Sequence, residues 1–438
     1  MPSLTAPSSS SLYLSRIFST KNLFMRPSSF TDTLGFRTSS SSYISAIPSS
    51  SPSFDFNTWT SNGFLATSLF SFSCAAVVKD LCPIASSIKE SNRLYRRTSF
   101  SNCAIFSSRI FLSSSNSSTT IVILTSIKSI VALVASIGNL NYDIYIKTHE
   151  LPGLDQSVDA LDLYTGGGGS AANFSVAIAR LGHRARFIGA VGDDVIGEII
   201  LKELESEGVE VRYVKKIGGL RSGVVVVIVQ PDGGKRMIAY RGANMGLSPD
   251  DINEASLGGV DHVHVASGRV ELILKAKEVA KRDGKSISVD GGTSLARKGL
   301  EVAAKALSGV DVVFMNQAEA KLLSSSSDHR AALDVIARNI DAREIVVTLG
   351  DRGAMALSGG EFLYVDAFRL QALDTTGAGD TFAAAYIAAR LMGLSLYERL
   401  LFANAAASIK VTRPGARSSP RLSEVLEFLR SLGYRLAE

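Results

Sequence analysis

Short apolar runs alternate with amphipathic ones from Ile130 to the end of the chain, and this alternation limits the fold more than any other feature. The apolar runs read as strands at Ile130–Ile137, Ala185–Ala190, Val260–Ala266, Ser286–Asp290, Val310–Met315 and Glu344–Leu349. Helical spacing is found at Ala171–Leu181, Val195–Ser206, Glu271–Asp283, Leu295–Ala306, Ala318–Leu323, Arg330–Asn339, Gly379–Met392, Leu396–Ile409 and Leu422–Ser431. Strands apolar on both faces and separated by helices predict an α/β domain with a mostly parallel central sheet covered on both sides. Ligands of such sheets sit at the carboxyl ends of the strands. Two β-rich runs, Ser222–Gln230 and Lys235–Arg241, break the alternation and flank a Pro231-Asp232-Gly233-Gly234 turn. With Ile144–Lys147 and Asp159–Tyr164 they predict a small separate sheet, either a lid over the site or a plain surface hairpin.

The first 126 residues are a different kind of sequence. Of the 438 residues, 1–130 hold 11 Lys/Arg against 4 Asp/Glu, and the rest hold 35 against 37. The basic balance therefore belongs to the N-terminal segment, and the body is not expected to bind nucleic acid. That segment is Ser-rich and without strand or helix period, as at Ser8–Ser11, Ser39–Ser42 and Ser113–Ser115. It reads either as a targeting segment for a plastid or other organelle or as translation from a start placed too far upstream. On the second reading, which its length favours, residues 127–438 are the working domain and the protein is cytoplasmic. Cys74, Cys82 and Cys103 all fall in this segment, so the body uses neither disulfides nor thiolate metal sites. Phe64–Val78 is too short to span a membrane, and Ile121–Ile137 is interrupted by Lys128, so no span is expected.

The strongest chemical signal is Asp374-Thr375-Thr376-Gly377-Ala378-Gly379-Asp380-Thr381-Phe382, at the start of a helix. A Gly-Ala-Gly turn at a helix N-terminus exposes several N–H groups to one anion, and Asp380 lies in the same turn. Anion donors beside a base suit phosphoryl transfer to an alcohol. Alone, the turn is equally consistent with a helix capped by an Asp. Two strand ends strengthen the first reading. Asn316-Gln317-Ala318-Glu319 leaves one strand with groups able to position a hydrated Mg²⁺ on phosphates, and Thr348-Leu349-Gly350 leaves the next with small residues that let a nucleotide approach. Asn141 and Asp143 share a strand face that can hold vicinal hydroxyls, and Gly166–Gly169, Ser170 and Asn173 open the following helix.

Other chemistries are disfavoured. Gly284-Lys285-Ser286 imitates the end of a Walker loop, but Val279 stands where its first glycine belongs. The Gly166–Gly169 run lacks the strand and acidic residue of a dinucleotide site. His262 and His264 share a strand face without a third ligand, which reads as packing rather than zinc.

With these residues in place, the body from about 130 to 433 resembles the ribokinase-like, or PfkB, carbohydrate kinases. One signature is matched from Gly166 to Gly197 and the other from Asp374 to Phe382. The resemblance implies a ribokinase-like three-layer α/β domain with a small β lid, from about 144–164 and 222–241, which in several members also forms a homodimer interface. It implies an ATP-dependent kinase with Mg²⁺ that phosphorylates a primary hydroxyl of a small sugar, ribose first. Fructose, nucleosides and 2-keto-3-deoxygluconate remain open. Asp380 would be the base, with the N–H groups of Gly377, Ala378 and Gly379 as the anion hole. Asn141, Asp143, Gly168, Gly169 and Asn173 fall on sugar-binding positions. Asn316, Thr348, Gly350 and Asn404 fall on nucleotide positions, and Glu319 on an indirect Mg²⁺ position. Asp374 and Thr376, with Arg413-Pro414-Gly415-Ala416, fall where many members bind K⁺. Ser170 and Ala171 depart from the Lys and Gly common in ribokinases, and Arg241 reads either as a solvated charge of the lid, the reading favoured, or as a cation facing an acidic or phosphorylated substrate. A non-catalytic binding subunit is the alternative from another class, and the intact Asp380 argues against it.

Overall fold

The computed structural model describes residues 107–115, 118–126, 131–230 and 234–436. The chain divides into two units, Met1–Lys128 and Ser129–Glu438. In the first, β1 (Ser107–Ser115) and β2 (Ser118–Ser126) pair antiparallel, where the sequence pattern assigns no strand. The rest of that unit, including Phe64–Val78 and the cysteines, lies outside the described residues.

The second unit is built on strands that bury both faces. In β3 (Leu133–Gly138) every residue is buried, and its side chains enter two different apolar cores by turns. The sheet around it has nine strands. On one side of β3 lie β6 (Arg184–Gly192) and β7 (Val209–Ile217). On the other lie β10 (His262–Ala266), β11 (Ser286–Asp290), β12 (Val312–Asn316), β13 (Glu344–Thr348), β14 (Ala354–Ser358) and β15 (Glu361–Val365). From β7 to β13 all pairs are parallel, and β14 and β15 close that edge antiparallel.

One face is covered by α1 (Ser170–Arg180), α2 (Val195–Ser206), α7 (Ala378–Leu391), α8 (Leu396–Val411) and α9 (Leu422–Ser431). The other is covered by α3 (Val270–Arg282), α4 (Leu300–Leu307), α5 (Gln317–Ser324) and α6 (His329–Asn339). This is the three-layer arrangement expected from the alternation. No helix among the described residues is long and apolar enough to cross a membrane.

A four-stranded sheet stands apart, in the order β5 (Asp162–Gly168), β4 (Asn141–Lys147), β8 (Gly223–Val229) and β9 (Lys235–Tyr240). It contains the two predicted lid segments, and β4 pairs parallel with β8, which no local turn could have announced. Residues 231–233 of the predicted turn lie outside the described residues.

Three expectations need correction. The single helix over Leu295–Ala306 is two, Gly292–Ala296 and α4, because Gly299 sits between them at φ +89°, outside the helical region. The β14–β15 hairpin was not assigned, although Gly359-Gly360, both at positive φ, is a hairpin signal. The edge strand β7 was missed because Arg212, Lys215 and Lys216 interrupt its apolar pattern.

His262 and His264 are packing groups, as the sequence suggested, but fully buried. His262 is held by Ser286 Oγ (2.7 Å) and Ser288 Oγ (2.8 Å), and His264 by Ser288 Oγ (2.8 Å). Burial drives His264 down to about 3, so it is neutral. Its ring stacks on Phe174 of α1, with centroids 3.8 Å apart. Phe174→Ala is expected to lower unfolding free energy by about 3–5 kcal/mol, the usual cost of an emptied aromatic core site, as read from urea denaturation.

Candidate active site

The site lies where α1 and α7 begin, at the carboxyl edge of the nine-stranded sheet and against the four-stranded one. A cavity of about 390 Å³ is lined by Asn139, Asn141, Asp143, Gly169, Ser170 and Asn173, with Val225, Met237 and Arg241 from the segment 223–241 and Thr376, Gly377, Gly379 and Asp380 from the α7 turn. Residues of both halves of the body, far apart in sequence, therefore meet in one space.

The α7 turn depends on Gly377. It caps the helix at φ +77°, and a Cβ there would come within 2.2 Å of the Ala416 carbonyl oxygen. Gly377 and Gly379 line the cavity. Ala378 does not, and its N–H donates to the Thr375 carbonyl (3.2 Å). In the first turn, Asp380 accepts from Asn173 Nδ2 at 2.7 Å. Burial pushes its carboxyl up to about 6, although the bonds from Asn173 and Ser170 and the charge of Lys410 oppose the rise.

Asp143 is 5% exposed. Burial pushes it up to about 6 as well, with Arg417 pulling it back. Asp143 Oδ1 and Asn173 Oδ1 are both buried without a hydrogen-bond partner. Two orphaned acceptors beside the Asp380 carboxylate call for a ligand that brings hydroxyl donors. Gly168 is small for this carboxylate, since a Cβ there would fall 2.1 Å from Asp143 Oδ2, and Gly169 must be glycine at φ +94° against the Asn139 carbonyl. Asn141 is oriented through Oδ1 by Asn244 Nδ2 (2.8 Å), and Asn244 Oδ1 in turn accepts from the Leu140 N–H (2.9 Å).

The expected nucleotide residues lie along the same sheet edge. Asn316 and Thr348 are register partners on β12 and β13, and Gly350 turns the chain at φ +67°. Asn316 is also the cap of α5: its Oδ1 accepts from the Ala318 and Glu319 N–H groups, and Glu319 Oε2 accepts from the Asn316 N–H (2.9 Å). Glu319 Oε1 accepts from Thr293 Oγ1 (3.0 Å). Asn404 is buried and gives its amide to the Val365 and Asp366 carbonyls (3.0 and 3.2 Å), so it secures the chain after β15.

Among the described residues no cluster of three or more His, Cys, Asp or Glu could hold a metal directly. A hydrated Mg²⁺, held through its waters, fits better. Burial, then the like charges of Glu319 and Asp380, push Asp290 up to about 8, so the three carboxylates act on one another.

Sequence reasoning missed several residues here. In the sequence Asp290 is legible only as the end of a strand, and Asn244 is not singled out. Arg417, buried, donates from Nη2 to the Gly168 carbonyl (2.9 Å) and pairs with Glu203 (3.2 Å). Lys235 and Lys410 converge on Asp374. Lys410 did carry a signal, a charge inside the apolar run Ala405–Val411.

Comparison with known proteins shows the family. Residues 131–422 match the model of the pfkB family carbohydrate kinases. An ATP-dependent ribose-1-phosphate kinase of Halopiger xanaduensis is 33% identical over 68% of this chain and 97% of its own. A ribokinase of Schizosaccharomyces pombe is 31% identical over 67% and 96%. Among solved structures, Arabidopsis thaliana ribokinase complexed with ribose and ATP superposes with a TM-score of 0.62 at 27% identity, covering 69% of this chain and 99% of that one. A putative ribokinase II from E. coli, in complex with ATP and Mg²⁺, gives 0.59 at 27% over 68% and 99%. The chain belongs to the pfkB family of carbohydrate kinases and is an ATP-dependent sugar kinase.

Proposed function

We propose that this kinase transfers the γ-phosphoryl group of ATP to a primary hydroxyl of a small sugar of the ribose class. The observation that carries the reading is the pair of orphaned acceptors, Asp143 Oδ1 and Asn173 Oδ1, in the same cavity as Asp380. Sugar hydroxyls donate to both. A third, primary hydroxyl lies against Asp380, whose raised pKa suits a base that takes up and releases a proton near neutrality. As the hydroxyl oxygen attacks the γ-phosphorus in line, Asp380 receives its proton and ADP departs with the bridging oxygen. The N–H groups of Gly377 and Gly379 stabilise charge on the transferred group.

Asp290 and Glu319 would hold Mg²⁺ through its water shell, and the ion would supply positive charge to the phosphates. The nucleotide lies along Asn316, Thr348 and Gly350, with Asn404 shaping the far wall. The lid excludes water from the reacting oxygen. Its outer face, where Leu163, Ile238 and Tyr240 are half or more exposed, supports pairing of two copies.

A second reading is favoured by Arg241, an exposed guanidinium on the lid wall of the cavity. It suits a sugar already bearing a phosphate away from the reacting hydroxyl, as the name of the Halopiger relative suggests.

Asp380→Asn is expected to lower kcat by a factor of about 10²–10⁴ while ribose still binds, the usual contribution of a positioned base. Single-turnover kinetics with calorimetric sugar binding checks both halves, and a kcat within about tenfold of the parent would remove Asp380 from the role. Because Asp143 and Asp380 both sit near 6 and must be ionised, kcat/KM is expected to rise with pH through about 6 and then level. Its acid limb should be steeper than that of a single proton. Arg241→Ala separates the two sugars. On the second reading it raises KM for ribose 1-phosphate by about tenfold or more, the worth of a charge-assisted bond, and leaves ribose unchanged. Equal effects on both sugars would leave free ribose as the substrate.

A further inference from the structure

Asp374 stands where the family resemblance places a monovalent cation. An alkali ion needs oxygens with lone pairs to spare, and here those oxygens are taken. Asp374 Oδ1 accepts from Lys235 Nζ (2.6 Å), the Thr376 N–H (2.9 Å) and Thr376 Oγ1 (2.8 Å). Oδ2 accepts from the Gly415 N–H (2.9 Å). The Asp374 backbone carbonyl accepts from Lys410 Nζ (2.8 Å). Thr376 Oγ1 itself accepts from Lys235 Nζ (3.0 Å). These residues do not fit a potassium ion, because two ammonium groups already occupy its oxygens.

Both ammonium groups are placed to act on the anion hole. Lys410 is 0% exposed, at the end of α8 among apolar neighbours. A charge is kept in such a position only when partners repay its lost hydration. Its field reaches the base, since it is among the charges that favour ionised Asp380. Lys235 is the first residue of β9, on the lid, and its ion pair with Asp374 joins lid to body.

We propose that Lys410 and Lys235 replace the monovalent cation with built-in charges, so that the enzyme works without K⁺. Lys410 belongs to the body and keeps its place whatever the lid does, and although burial lowers its ammonium to about 8 it stays largely charged at pH 7. Lys235 is delivered by the lid, so lid closure and completion of the charge beneath the Gly377–Gly379 turn are one event.

The test compares the full-length kinase in about 100 mM tetramethylammonium chloride and about 100 mM KCl, equal in screening, with ATP, Mg²⁺ and ribose. The expected rates agree within about twofold, and activation by K⁺ of about tenfold or more would overturn the proposal. A second readout needs no sugar: calorimetric titration with thallium(I), a K⁺ mimic, is expected to show no saturable site, and a stoichiometric site would also overturn it. The double variant Lys235→Ala, Lys410→Ala frees the oxygens. It is expected to lose about tenfold or more of its rate without K⁺ and to regain it with K⁺, with a melting temperature higher in KCl than in tetramethylammonium chloride. If removing the buried lysine prevents folding, Lys235→Ala alone is read in the same two salts. A variant as active without K⁺ as the parent would remove the lysines from the role. A failure with ribose alone, with no thallium bound, would count against the substrate assignment and not against the built-in charge.

Discussion

A sheet buried on both faces has no room for polar chemistry in its interior. Every ionisable group of the site must leave at the carboxyl edge, where helices begin. The nine-stranded sheet meets this requirement with two helices, α1 and α7, that lie on the same face and start at the same end. Their first turns are joined by the bond from Asn173 to Asp380 (2.7 Å), which spans 207 residues of sequence. The Asn173 end of α1 and the Gly377–Asp380 turn of α7 are fixed relative to one another through that pairing. The lid sheet has only to cover them.

The carboxylates around the site are shifted in opposite directions. Asp143, Asp290 and Asp380 are raised by burial, so they favour folding below about pH 4 and lose that contribution as pH rises through their folded values, about 6 for Asp143 and Asp380 and about 8 for Asp290. At neutrality they oppose folding. Asp374 behaves in reverse. Burial works against its charge, but the bonds from Lys235 and Thr376 outweigh it and hold it at about 2. Its contribution is present above pH 4 and is lost as pH falls towards 2. A permanently ionised Asp374 therefore anchors the turn on which the titrating Asp380 sits.

Much of this was readable locally. The alternation of apolar runs required a covered parallel sheet, and strands such as Ser286–Asp290 have the predicted bounds. Capping patterns were readable too: Asn316 and Glu319 form a reciprocal cap, and so do Ser395 and Glu398. Elements escaped where one residue outweighed a pattern, as at Gly299, or where charges broke up an edge strand, as in β7. Asn404 shows the limit for single sites. The resemblance puts it on a nucleotide position, and what its amide holds, the carbonyls of Val365 at the end of β15 and of Asp366, is visible only in the fold.

The sequence by itself determined the fold class, the Gly377–Asp380 turn and the family, because hydrophobic period, helix starts and glycine requirements are written in neighbouring residues. Tertiary structure decided which groups share a charge. Lys235 and Lys410 lie 139 and 36 residues from Asp374, and neither has a local pattern pointing to it. Their partnership follows from lid register and from the packing of α8, and a buried ion pair has no period to betray it.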